Sequence, residues 1–288
     1  ENEKEKQEKD KEKKRTDQIQ YRKNKSEQEI DNILTFVAQK EEEESEITES
    51  DWIEIKKILE VEEKGSEEQK KEIRQQKITI CMKIIYAFNG FNGEEQKKKA
   101  IEAGIADVFI HLFSTHPFES IVPTYAWTFF TLSYNINDEL KMIITSKKPF
   151  AALFRQFDNP RIVVVDKVVA SVYNIISIGQ SSPPPDEEQH THYQYFSEHG
   201  GIERLFALFK KKSSKISQSK AALCICLLFR GKEIINDPMR QELIVHIKTL
   251  VTDSKGFDIP AKVVLRGPAK NTVNRIEIQQ DDFKIPND

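Results

Sequence analysis

His190, His192 and His199 fall close together and are the sequence's nearest approach to a metal-ligand cluster. Zinc would want a further Cys or carboxylate at ligand spacing, and none accompanies them. The neighbouring Pro183, Pro184 and Pro185 point instead to a solvated loop. Cys224 and Cys226 stand two apart, which on a helix directs them to different sides, whereas a redox or metal pair wants two intervening residues. With Cys81 they read as buried thiols, and an odd number without framework spacing suggests a reducing compartment, cytosol or nucleus. His111, His116 and His246 are isolated, and no carboxylate pair stands out for acid/base work. The sequence contains no Gly-rich phosphate loop, H-E-x-x-H, G-x-S-x-G or kinase motif set, so neither an enzyme nor a cofactor is expected. Lys97 to Lys99 and Lys210 to Lys212, with Lys215 and Lys220, could meet phosphates. Interspersed acids and a pI near 6.2 favour a solvated face, and nucleic acid is not an expected partner.

The elements that would position these residues are helical. Glu1 to Lys25 alternates Lys and Glu with only Ile19 and Tyr21 apolar, and reads as a charged arm, disordered or helical, that buries too little surface to offset its ordering entropy. Ser26 with Glu29 makes a capping-box pattern before Ile30, Ile33, Leu34 and Val37. A second such pattern at Thr48 to Asp51 precedes the stripe Trp52, Ile55, Ile58 and Leu59, closed by Gly65 and Ser66. Residues 26–69 are therefore expected to form an N-terminal helical cap. The longest apolar run, Ala221 to Phe229, is far short of the ~18 residues of a membrane span.

From Gln76 onward a pattern repeats. IEAGIADVFIHLF breaks at Gly104; 44 residues on, MIITSKKPFAALF has Pro149 where a second helix would start; 52 further, YFSEHGGIERLFALF breaks at Gly200 and Gly201; and ELIVHIKTLV follows after 44. Between them lie apolar stretches starting at Cys81, Ala126, Ala170 and Ala221, spaced 45, 44 and 51. Both long intervals contain Ser181 to His192, read as an inserted Pro-rich loop. A period near 44, holding a short helix, a break and two longer helices, is that of armadillo and HEAT solenoids. The repeat domain is placed at 70–252, followed by an irregular tail, 253–288, whose weak alternation permits a hairpin or a docking peptide. The charge follows the same boundaries: +1 over residues 1–30, -8 over 31–76 and +4 over 77–288, so the total of -3 is a cancellation.

KKKAIEAGIADVFIHLF resembles the armadillo consensus through Ala100, Ile101, Ala103 and Gly104, and YAWTFFTLS is similar to that family's third helix through Ala126 and Trp127. The resemblance implies an all-α, right-handed superhelical solenoid of about four three-helix repeats, stabilised by stacking between neighbours. It also implies a non-enzymatic adaptor that holds a protein or extended peptide in a groove lined by third helices. Tyr86, Asn89, Trp127, Thr131, Tyr134 and Asn174 are the expected groove residues. In the importin alpha family a Trp and an Asn one turn later grip the peptide. Here Trp127 is followed by Thr131, and the matching pairs are Met82 with Tyr86, Ser171 with Ile175 and Ala222 with Cys226, so the paired ladder is missing. The stretch KKRTDQIQYRKNKSEQEI resembles that family's importin-beta-binding arm through Lys13, Lys14, Arg15, Arg22, Lys23 and Lys25, which implies an import adaptor as the alternative function. The second basic cluster of that arm is replaced by Asp31, Asn32, Ile33 and Leu34, and a mildly basic repeat region suits basic cargo poorly.

Overall fold

A computed structural model describes residues 47–89, 93–177, 190–234, 236–253 and 256–286. The expected helix at 26–40, the charged arm and most of the Pro-rich insert lie outside them. All regular structure among the described residues is helical. The chain divides into two compact units, the first reaching Leu132 and including Asn159–Val165, the second holding Ser133–Asp158 and everything from Asp166 onward.

In the first unit α1 (Glu49–Glu60) begins at the expected capping box: Thr48 accepts from the Asp51 N–H while the Asp51 carboxylate accepts from the Thr48 N–H. It ends at Glu60, before Gly65. Trp52, Ile55 and Leu59 are buried, and Trp52 stacks on Phe88 of α2 (Glu67–Asn89) with centroids 5.8 Å apart. Next come α3 (Gly93–Glu102) and α4 (Ile105–Thr115), separated by Gly104 at φ 88°. Phe109 and Phe113 of α4 meet Tyr125 and Phe129 of α5 (Pro123–Ser133), giving this unit an aromatic spine. Arg161 Nη1 donates to the carbonyls of Phe118, Glu119 and Ile121 and so fixes the 3₁₀ turn that feeds α5.

The second unit contains α6 (Asp138–Ser146), α7 (Phe150–Arg155), most of α8 (Ile162–Ile176), α9 (Tyr193–Glu198), α10 (Gly201–Lys211), α11 (Lys215–Leu228) and α12 (Asp237–Val251). Gly200, between α9 and α10, has φ 66°. Lys148, 44 residues after Gly104, adopts the same left-handed conformation at φ 55°. The repeat therefore demands that backbone geometry even where the sequence supplies no glycine, and the α6–α7 break carries no Gly that would betray it.

The tail differs from the irregular segment expected. It forms α13 (Asp258–Leu265) and α14 (Thr272–Ile278), and no hairpin. Asn271 caps α14, accepting from the Val273 and Asn274 N–H groups. Asn274 is fully buried: its amide donates to the carbonyls of Lys232 and Pro268 and its oxygen accepts from the Ile234 N–H. That tertiary anchor outweighs the weak alternation of the sequence, in which helices of eight and seven residues leave little periodic signal.

Candidate groove surface of the third helices

Within the first unit the third helices are the C-terminal half of α2 and α5. The Thr128 hydroxyl of α5 donates to the Thr124 carbonyl at 2.8 Å and lies beside the buried Cys81 thiol of α2. Of the neighbouring positions, Tyr86 and Trp127 are half-buried. Asn89 is exposed and donates from Nδ2 to the Ile85 carbonyl at 2.9 Å, a bond to its own helix. Thr131 does not belong with them. It is 4% exposed, and its hydroxyl donates back to the Trp127 and Thr128 carbonyls at 3.2 and 2.9 Å. A β-branched hydroxyl in a helix satisfies itself in this way, and nothing remains of it to grip a peptide.

In the second unit Tyr134 is 53% exposed, directly after α5. Asn174 is 9% exposed, its amide 3.5 Å from the Ser133 hydroxyl, so it lies at the edge of the core. Ser171, Ile175, Ala222 and Cys226, the positions that would continue a ladder, are each 1% exposed or less. These helices are apolar on most of their circumference, and the spacing of the stretches left their rotation open by a residue.

What α8 and α11 show instead is lysine. Lys220 Nζ sits 4.0 Å above the Tyr173 ring centroid, with Phe257 at 5.8 Å, a desolvated cation–π arrangement that had no motif to announce it. Lys167 is held down to about 8 by burial, against the opposing pull of Asp166. Asp166 itself is pushed up to about 6 by burial, although Ser214 donates to it and Ser217 is hydrogen-bonded to it. Ser214 also caps α11, so the carboxylate fixes where that helix begins.

The residues singled out for other chemistry are accounted for by packing. Burial pushes the Cys81 and Cys226 thiols up to about 12 and raises Cys224 as well, which leaves none of them a nucleophile. Lys210 pairs with Glu242 at 2.5 Å and Lys215 with Asp253 at 2.9 Å, while Lys97 is buried. His190 and His192 are not in a solvated loop: both are buried. His190 Nδ1 accepts from the His192 N–H, so its proton sits on Nε2 and is donated to the Ile176 carbonyl at 2.8 Å, while His192 meets the Phe150 ring edge-on. No His/Cys/carboxylate cluster able to hold a metal ion occurs among the described residues.

No protein-family model and no curated protein matches the sequence. Solved structures do. A designed armadillo repeat protein in complex with the peptide (KR)4 is similar at 18% identity and TM-score 0.54, and a second designed armadillo repeat protein at 16% and 0.55. Computationally designed armadillo repeat proteins for modular peptide recognition match at 17% and 0.53; each of the three comparisons covers 80% of this chain and 87% of the other. The chain has the armadillo-repeat fold.

Proposed function

We propose that this protein is a binding scaffold without catalytic activity, which holds an extended peptide of a protein partner against its third helices. The observation that carries the reading is Trp127: a half-buried indole at the position where armadillo third helices present one, next to the buried Thr128. Exposed or half-exposed aromatics on rigid helices supply large contact area at low entropic cost. Tyr86 and Asn89 are the further contacts proposed within the first unit, and Tyr134 with the amide edge of Asn174 are those within the second, each unit taken by itself; Thr131, whose hydroxyl is spent on its own helix, is not among them. Two of the similar structures are of proteins that bind peptides or were designed to, which supports the reading. The peptide is not expected to be basic, because Lys167 and Lys220 occupy the third helices of the second unit while Asp166 is buried. For the same reason, and because Thr131, Ile175 and Cys226 stand where a ladder of Asn would, we do not adopt the import-adaptor alternative. Its basic arm lies outside the described residues.

Selection of binders from a displayed peptide library on the intact chain tests the proposal. Enrichment of a shared motif that is lost on Trp127→Ala, with helicity retained, is the expected result. Failure to enrich any motif would overturn it.

A further inference from the structure

Along the two third helices of the second unit almost every residue is buried, and the exceptions are lysines. From Asp166 to Ile176 on α8 only Lys167 is not buried, and from Ser219 to Cys226 on α11 only Lys220 is not. The two helices lie side by side and run in the same direction: Asp166 accepts from Ser214 toward their N-terminal ends, and Tyr173 meets Lys220 further along. The Lys220 ammonium stands 4.0 Å from the Tyr173 ring centroid and 5.8 Å from that of Phe257, so the rings fix its position beside α8. Tyr173 lies six residues beyond Lys167, about 9 Å along the helix. Neither helix offers an acid to an incoming base: α11 contains no Asp or Glu, and Asp166, the one acid of α8, is buried and hydrogen-bonded to Ser214. Burial holds Lys167 down to about 8 and lowers Lys220 as well, a cost that a carboxylate beside either ammonium offsets.

Resting on the scaffold reading, we propose that the second unit recognises an acidic segment of the partner protein, in which two carboxylates about three residues apart pair with Lys167 and Lys220. An extended chain advances about 3.3 Å per residue, so three residues cover the distance between the two places on α8. A peptide laid across α8 and α11 meets an ammonium on each helix and little else that is polar. Half-buried ammoniums are screened less than lysines in open water, so complementary charge there sets both attraction and register. Nucleic acid fits less well, because it needs a broad basic stripe that follows many phosphates. The neighbouring lysines do not extend one: Lys215 is paired with Asp253 and Lys210 with Glu242.

The probe is one peptide enriched on the intact chain from a displayed library, compared with the same peptide carrying Asn and Gln in place of every Asp and Glu. The enriched motif is expected to hold two acids about three residues apart, and the amide version to bind wild type at least about tenfold more weakly. Lys167→Met and Lys220→Met should each weaken binding of the acidic peptide and leave that of the amide version unchanged, so that the losses on the two sides do not add. Enriched peptides without acids, or an amide version that binds wild type as tightly, would overturn the proposal. If Trp127→Ala still abolished that binding, the scaffold reading would stand without it; if no motif were enriched, both would fall. Displacement of the peptide by single-stranded DNA of equal charge at equal concentration would also overturn it, by showing a surface that takes any polyanion. Because the amide peptide is read on the unaltered chain, a lysine variant that fails to fold leaves that comparison intact.

Discussion

His190 and His192 show how environment decides what a residue type means. Burial pushes both imidazoles down to about 4, and His190 is lowered further by His192 and Arg230 against the opposing hydrogen bond to the Ile176 carbonyl. The unfolded chain therefore binds more protons between pH 6.5 and pH 4, and stability that is complete above 6.5 is lost as the pH falls through that window, by at most about 3 kcal/mol per ring. Asp166 works in the opposite direction: raised to about 6, it favours the fold at low pH and loses that contribution as the pH rises from 3.8 through 6. Chemical denaturation between pH 7 and pH 4.5 should show a net loss, and His192→Phe, which keeps the ring contact with Phe150, should reduce it. A variant whose pH profile matches the wild type would refute this account. The sequence concealed the burial because both histidines follow a Pro-rich stretch, yet the aromatic run Tyr193, Tyr195 and Phe196 was the available signal. Cys81, Cys224 and Cys226 were legible, since apolar flanks and wrong spacing both point inward. Lys220 was not: its place among Lys210, Lys211, Lys212 and Lys215 suggests a solvated basic face, and nothing in that charge pattern signals that the Tyr173 ring lies under its ammonium.

At the scale of elements the 44-residue period was the strongest feature, and it located Gly104, the α7 start at Pro149 and Gly200 correctly. The conformation of Lys148 shows what the period requires beneath the residue types. Left-handed backbone costs a non-glycine residue about 1 to 2 kcal/mol, so Lys148→Gly should raise stability by about 1 kcal/mol, net of glycine's greater unfolded freedom, as a shift in denaturation midpoint. Gly201 makes the converse case. A Cβ there would lie 2.9 Å from the Phe154 and Phe196 rings, so Gly201→Ala is expected to cost about 1 to 3 kcal/mol. A neutral outcome would mean that the α7–α9–α10 junction yields more readily than its packing implies. Helix rotation was much less legible than helix position: α8 and α11 are apolar over most of their faces, so the residues nearest solvent had to come from tertiary packing.

For the whole molecule, the sequence supported an armadillo-type, all-helical chain but missed that the C-terminal region extends the helical structure. Asn274 holds that extension, with three hydrogen bonds and no exposure. Asn274→Ala leaves buried backbone groups unsatisfied at about 1 to 3 kcal/mol each, and should release 256–286 to rapid amide exchange before α10 and α11. Uniform exchange across the second unit would contradict that ordering. The central claim, a peptide scaffold whose first unit presents Trp127, is tested most directly by titrating one library-selected peptide against wild type and Trp127→Ala. Binding at least about tenfold weaker is expected, the ~1.4 kcal/mol or more of an aromatic anchor, with an unchanged circular dichroism spectrum. Equal affinity for both proteins, or loss of helicity on removing the indole, would contradict it.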